Sequence, residues 1–235
     1  MTRVLVPVEV LAGGTVSPGL MNLLGTVDVT VLGIHVLPEQ TPPDQARAQF
    51  EERATSALED LSQEFESAGG AANHRLVFTH DREQTVTRIA DEIDARAFAI
   101  SGMTGDVERL LVSLSGDVAV DRIVDFVSEL VGGRDIGVTL FLAQQSEVGG
   151  SDERLDAAAT RLRDTGITVE TVIADGSPFE ALMTEVPGHD AIVMGEAAPS
   201  LRSLVFGDEA DRVAAASVGP VLVVRYDETL DENTA

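Results

Sequence analysis

Short β-branched runs alternate with amphipathic stretches along this chain, and the alternation occurs twice. Residues 3–8 (Arg3, Val4, Leu5, Val6, Pro7, Val8) form an apolar run that reads as a buried strand. Gly13 and Gly14 follow, then a short apolar helix over 16–24 and a second strand over 29–37. A long helix is predicted over 43–67, where Ala46, Phe50, Ala54, Ala57, Leu61 and Phe65 recur every three or four residues and face one way. A third strand over 76–79, a third helix opened by Asp81 and Gln84, and a fourth strand over 97–102 complete the set.

The same order then returns. Residues 109–114 read as a strand, and 115–117 as a turn. A helix follows with Val120, Ile123, Val124, Val127 and Val131 on one face and Asp121, Arg122, Asp125 and Glu129 outside. Strands over 136–143, 169–174 and 191–195 alternate with helices over 152–163 and after Ser177. Ser177 at the N-cap, Pro178 at the first helical position and Glu180 predict a capping box. The second copy is shorter mainly in its second helix, which accounts for the changing offset between copies. Strands alternating with helices predict parallel sheet covered on both faces.

Composition narrows the setting. Cysteine is absent, which excludes disulfides, thiolate catalysis and cysteine metal sites. All 16 basic residues are arginines, against 40 acidic residues, leaving a net charge of −24. In dilute buffer that charge repels itself, and at about 1 M salt the Debye length falls to about 3 Å and screens it. The lack of lysine together with this charge predicts a protein adapted to a salty cytoplasm. An acidic surface also argues against binding phosphate backbones. No apolar run is long enough for a membrane helix, and residues 1–7 lack the features of a signal peptide, so a cytoplasmic location is expected.

The most specific pattern lies near the C-terminus. Residues 190–195 (Asp190, Ala191, Ile192, Val193, Met194, Gly195) lead through a loop to Leu204, Val205, Phe206 and Gly207, then a helix over 208–216, then Gly219, Pro220, Val221, Leu222, Val223, Val224 and Arg225. This ending resembles that of the universal stress protein family, as do Val4 to Val8 and the strand containing Ile34, His35 and Val36. The resemblance implies an α/β fold of two tandem Rossmann-like domains with parallel sheets of strand order 3-2-1-4-5. The first domain, 1–106, would lack its last helix and strand; the second, 107–226, would be complete; and 227–235 would form an acidic disordered tail. An alternative makes residues 109–114 the missing fifth strand of the first domain. The resemblance also implies dimers paired through the last strand, Val221, Leu222, Val223 and Val224, on the expectation that its outer edge has no internal neighbour.

Some members of that family bind ATP where the carboxyl ends of the strands meet helix N-termini. Here the nucleotide signature is altered. Gly195 is present, but Ala198 stands where a second glycine is expected, Gly207 arrives one residue early, and Asp208 replaces a hydroxyl residue. Asp208, Glu209 and Asp211 would cap the next helix and repel phosphate. Ser115 and Glu9 replace the aspartate expected after each first strand.

Other chemistry finds little support. A P-loop needs a lysine, and no dinucleotide fingerprint follows a strand. His35, His74, His80 and His189 lack metal-site spacing; His35 reads as a core residue, and His80-Asp81 and His189-Asp190 are ordinary neighbouring pairs. No serine sits in a nucleophile elbow. The leading expectation is therefore a non-enzymatic stress-response or regulatory protein without metal or cofactor, acting through homodimerisation and contacts with a protein partner. The alternative is an AMP or ATP sensor whose degenerate site would comprise Ser113, Leu114, Ser115, Met194, Gly195 and Gly207.

Overall fold

The computed structural model describes residues 2–100, 102–116, 118–144, 151–198 and 219–226, and among these residues nine strands are interspersed with six α-helices. The first half comprises β1 (Arg3–Val8), α1 (Pro18–Leu23), β2 (Asp28–Val36), α2 (Pro43–Ser67), β3 (Ala71–Thr79), α3 (Arg82–Glu92) and β4 (Ala97–Ile100). The second comprises β5 (Arg109–Ser113), α4 (Val120–Val131), β6 (Gly137–Gln144), α5 (Ser151–Asp164), β7 (Val169–Asp175), α6 (Pro178–Glu185), β8 (Ala191–Gly195) and β9 (Val221–Val224). The predicted helix over 208–216 and the predicted tail over 227–235 lie outside the described residues.

All nine strands form a single sheet of order β3-β2-β1-β4-β9-β8-β5-β6-β7. The second half has the expected 3-2-1-4-5 order, and the first stops at 3-2-1-4. Residues 109–113 pair with β6 and β8, so they begin the second half and do not complete the first. Every neighbouring pair is parallel except β4 and β9, which run antiparallel with Phe98 opposite Val223. This pairing corrects the expectation for Val221, Leu222, Val223 and Val224. Their outer edge is taken by β4 of the same chain, so no second copy can add a strand there. Sequence patterning could not reveal this, because a short apolar strand looks the same whether its neighbour is internal or external.

The junction is close. A methyl group on Gly102 would lie 2.2 Å from the carbonyl of Gly219, so the chain leaving β4 can pass the chain entering β9 only without side chains. Gly219 itself has φ +83°, a conformation glycine adopts without strain.

One hydrophobic core runs from Val4 to Val224 across both halves. α4 helps to join them, burying Ile123, Val124, Phe126, Val127, Leu130 and Val131. Its far end reaches the first half. Thr26 Oγ1 donates to the Leu130 carbonyl at 3.0 Å, Thr2 Oγ1 donates to the Glu129 carboxylate, and Arg96 pairs with Glu129 at 3.1 Å and Asp125 at 3.7 Å. Arg134, just past α4, donates to the carbonyls of Asn22 at 2.7 Å and Leu23 at 2.8 Å, and also to those of Leu130 and Val131. Two helix C-termini from different halves thus share one guanidinium, satisfying carbonyls that helix geometry leaves without partners. Burial lowers the pKa of Arg134 from its ordinary value.

Some local expectations shift. β3 starts earlier than predicted, because residues 71–75 pair with β2 despite their polar character. Asp81 caps α3, accepting from Gln84 N at 2.9 Å, whereas Ser177 occupies the N-cap of α6 without a side-chain bond.

Candidate functional site

In a parallel sheet of this kind, ligands are received at the carboxyl ends of the central strands, where the chain order reverses. In the second half those ends belong to β5 and β8. Parallel pairing sets Ser113 opposite Met194, with Leu114 and Ser115 following Ser113 just past β5 and Gly195 following Met194 at the end of β8. Five of the six candidate nucleotide residues therefore meet. Gly207 lies outside the described residues.

The five are packed into the protein. Ser113 and Met194 are fully buried, and Leu114 and Ser115 are nearly so. Leu114 N donates to the Phe141 carbonyl at 2.8 Å, and Ser115 Oγ accepts from Ala143 N at 2.8 Å. The position that would carry an aspartate in nucleotide-binding proteins of the resembling family thus ties β5 to β6. Among the described residues, Ser113 Oγ is the one buried side-chain oxygen or nitrogen without a hydrogen-bond partner.

Gly195 would be the cradle for a phosphate, since a residue without Cβ lets a ligand approach the backbone. Here Val118 and Ile123 pack close beside it. A methyl group on Gly195 would lie 2.9 Å from Val118 Cγ1 and 3.3 Å from Ile123 Cδ1. The cleft bordered by these residues, Ala119, Glu196 and Tyr226 measures about 10 Å³, room for about one water. Small-molecule sites occupy roughly 300–1,000 Å³. Glu196 adds a carboxylate at this end, accepting from Tyr226 N at 3.1 Å.

Sequence reasoning placed Ile123 on the buried face of α4 but did not identify Val118, one residue before Ala119 at the N-cap, as the second side chain against Gly195. An apolar residue so soon after the Ser115-Gly116 turn was the available signal. Glu9, after β1, pairs with Arg82 at 3.3 Å, and both side chains are exposed.

All four histidines have partners within the protein. His35 packs edge-on against Phe50 and Phe78, with ring centroids 5.6 and 5.8 Å away, as the core reading expected. His74 Nδ1 lies 3.2 Å from Ser62 Oγ, and His80 Nε2 lies 3.1 Å from the Thr41 carbonyl. His189 bridges Thr139 Oγ1 and the Glu185 carbonyl at 2.8 and 2.9 Å. Its neighbour Asp190 accepts from the backbone N–H groups of Glu108 and Arg109, both at 2.9 Å, anchoring the start of β5. Among the described residues, no three His, Asp or Glu side chains gather as metal ligands, and no helix is long and apolar enough to cross a membrane.

Comparison with known proteins agrees with this architecture. Residues 128–225 match the family model described as the universal stress protein family. No curated protein sequence matches the chain. A universal stress protein from Archaeoglobus fulgidus DSM 4304 superposes with TM-score 0.64 at 18% identity, covering 96% of this chain and 97% of the other. A putative universal stress protein from Pseudomonas aeruginosa UCBPP-PA14 gives TM-score 0.52 at 14% identity, covering 96% and 93%. A functionally unknown protein from Pseudomonas aeruginosa PAO1 gives 0.54 at 13%, covering 99% and 95%. At these identities the structural likeness establishes the fold alone.

Proposed function

We propose that this chain is a non-catalytic regulatory protein of the universal stress protein kind, which works through contacts with another protein and does not take up ATP or AMP. The observation that supports this reading is the close packing of Val118 and Ile123 around Gly195, where an added Cβ would lie 2.9 Å from Val118 Cγ1. The family match over 128–225 supports the stress-response assignment. We take 1–106 and 107–226 as two repeats of one ancestral unit, the first relying on β9 for the strand beside β4. The charge of −24 suits a cytoplasm rich in salt.

A sensor of AMP or ATP is the second reading, favoured by one observation: the Ser113 hydroxyl is buried without a partner. The two readings separate on purified protein. Denaturing it and analysing the supernatant for nucleotide should yield none; stoichiometric AMP or ATP would establish the sensor instead.

A further inference from the structure

The turn from third strand to third helix occurs once in each half, and the two turns are held differently. In the first half, β3 passes into α3 through His80 and Asp81. Asp81 N donates to Thr79 Oγ1 at 3.1 Å, Asp81 Oδ1 accepts from Gln84 N at 2.9 Å, and Thr85 Oγ1 donates to Thr79 Oγ1 at 2.8 Å. In the second half, β7 passes into α6 through Gly176 and Ser177, and these ties are missing. Ser177 makes no side-chain bond at the N-cap. Among the described residues, no donor is bonded to the Asp175 carboxylate and no acceptor to the Gly176 N–H.

Asp175-Gly176 is also the one place in the chain where aspartate or asparagine precedes glycine. Asp175 ends β7, an edge strand paired only with β6, and Asp175, Gly176 and Ser177 are all exposed. Gly176 has φ +114°, and a Cβ added there would meet nothing within 4 Å. A glycine carries no side chain to shield its nitrogen, which can therefore swing onto the neighbouring carboxyl carbon. Strand ends fray at little cost, and fraying supplies the rotation about Asp175 that this approach requires.

We infer that Asp175 is a site of spontaneous isomerisation to isoaspartate. Gly176 N attacks Cγ of the protonated Asp175 carboxyl. The N–Cγ bond forms, the Cγ–OH bond breaks, and the hydroxyl leaves as water with the amide proton. Water then opens the five-membered imide. Addition at Cγ restores aspartate, whereas addition at the main-chain carbonyl carbon breaks its bond to nitrogen and gives isoaspartate. The main chain then runs through Cβ and Cγ, lengthened by one methylene, and a free α-carboxylate stands beside it. The added length falls where Asp175 pairs with Gln144 and just before the buried Pro178, so it loosens the seat of α6. The α-carboxylate is the group that isoaspartyl methyltransferases esterify, taking the methyl of S-adenosylmethionine and leaving S-adenosylhomocysteine.

The test ages the full chain in molar KCl, well below its melting temperature, for several weeks beside a sample unfolded in urea. Isoaspartate is counted by transfer of tritiated methyl from S-adenosylmethionine with an isoaspartyl methyltransferase, and located by fragmentation mass spectrometry of the peptide holding 175–176. The folded chain should form it at Asp175 within about tenfold of the unfolded rate, and far more slowly at its other aspartates. Asp175→Glu, which would need a six-membered ring, should lose this signal while keeping the circular dichroism of the parent. Isoaspartate confined to the unfolded sample, or spread evenly over the aspartates of the folded one, would overturn the proposal.

Discussion

Arg134 Nη2 donates to the carbonyl of Leu23 at 2.8 Å, so the C-terminal end of a helix in the first half is closed by a side chain from the second. The same guanidinium serves Leu130 and Val131 at the end of α4, and the two halves stabilise each other there. Arg134→Ala should lower the unfolding free energy by about 1.5–3 kcal/mol, the range of hydrogen bonds made by charged groups. Arg134→Lys keeps the charge but loses the planar fork and should recover less than half. Denaturant titration at fixed KCl reads both. Wild-type stability in Arg134→Ala would mean the halves do not depend on this clasp.

Val223 is bonded on both sides, facing Phe98 of β4 and Met194 of β8. Proline there removes a ladder donor in the sheet interior and should cost about 3 kcal/mol or more. Val223→Pro should therefore unfold the chain or sharply lower its melting temperature in circular dichroism. A fully folded variant whose only change is from dimer to monomer would instead place this strand at an outer edge.

The Ser113 hydroxyl is buried with no partner, a condition that costs about 1–3 kcal/mol. If it has no ligand to serve, Ser113→Ala should be neutral or should stabilise the protein by up to that amount. Loss of stability in a thermal melt would show that the hydroxyl has a partner in solution.

With a charge of −24, the folded chain should gain stability as salt rises. The melting temperature should climb steadily from about 0.1 M to about 1 M KCl, over which the Debye length shrinks from about 10 to about 3 Å. A melting temperature independent of KCl would remove the argument for adaptation to salt.

Much of the fold was legible in the sequence because β1, β2 and β9 are rich in β-branched residues and α2 and α4 carry apolar stripes. The 3-2-1-4-5 order followed from the resemblance carried by Met194, Gly195 and the run from Pro220 to Arg225. Two features were not legible. The antiparallel seam of β4 with β9 depends on which apolar strand stands beside which, and neither the run at Phe98 nor that at Val223 encodes its neighbour. Arg134 gave no signal either, since its role depends on carbonyls more than a hundred residues away in sequence. At the candidate site, the adjacency of Ser113 with Met194 followed from the strand order. Its filling by Val118 did not, because a valine next to a turn does not announce where it points.

The most direct test of the closed crevice is calorimetric titration of ATP and of AMP, each with magnesium, into the full chain in about 1 M KCl, where the charge is screened. With Val118 and Ile123 packed on Gly195, neither nucleotide should produce heat beyond dilution. Stoichiometric binding at micromolar strength, about −8 kcal/mol, would mean that the crevice opens in solution and that the protein senses nucleotide.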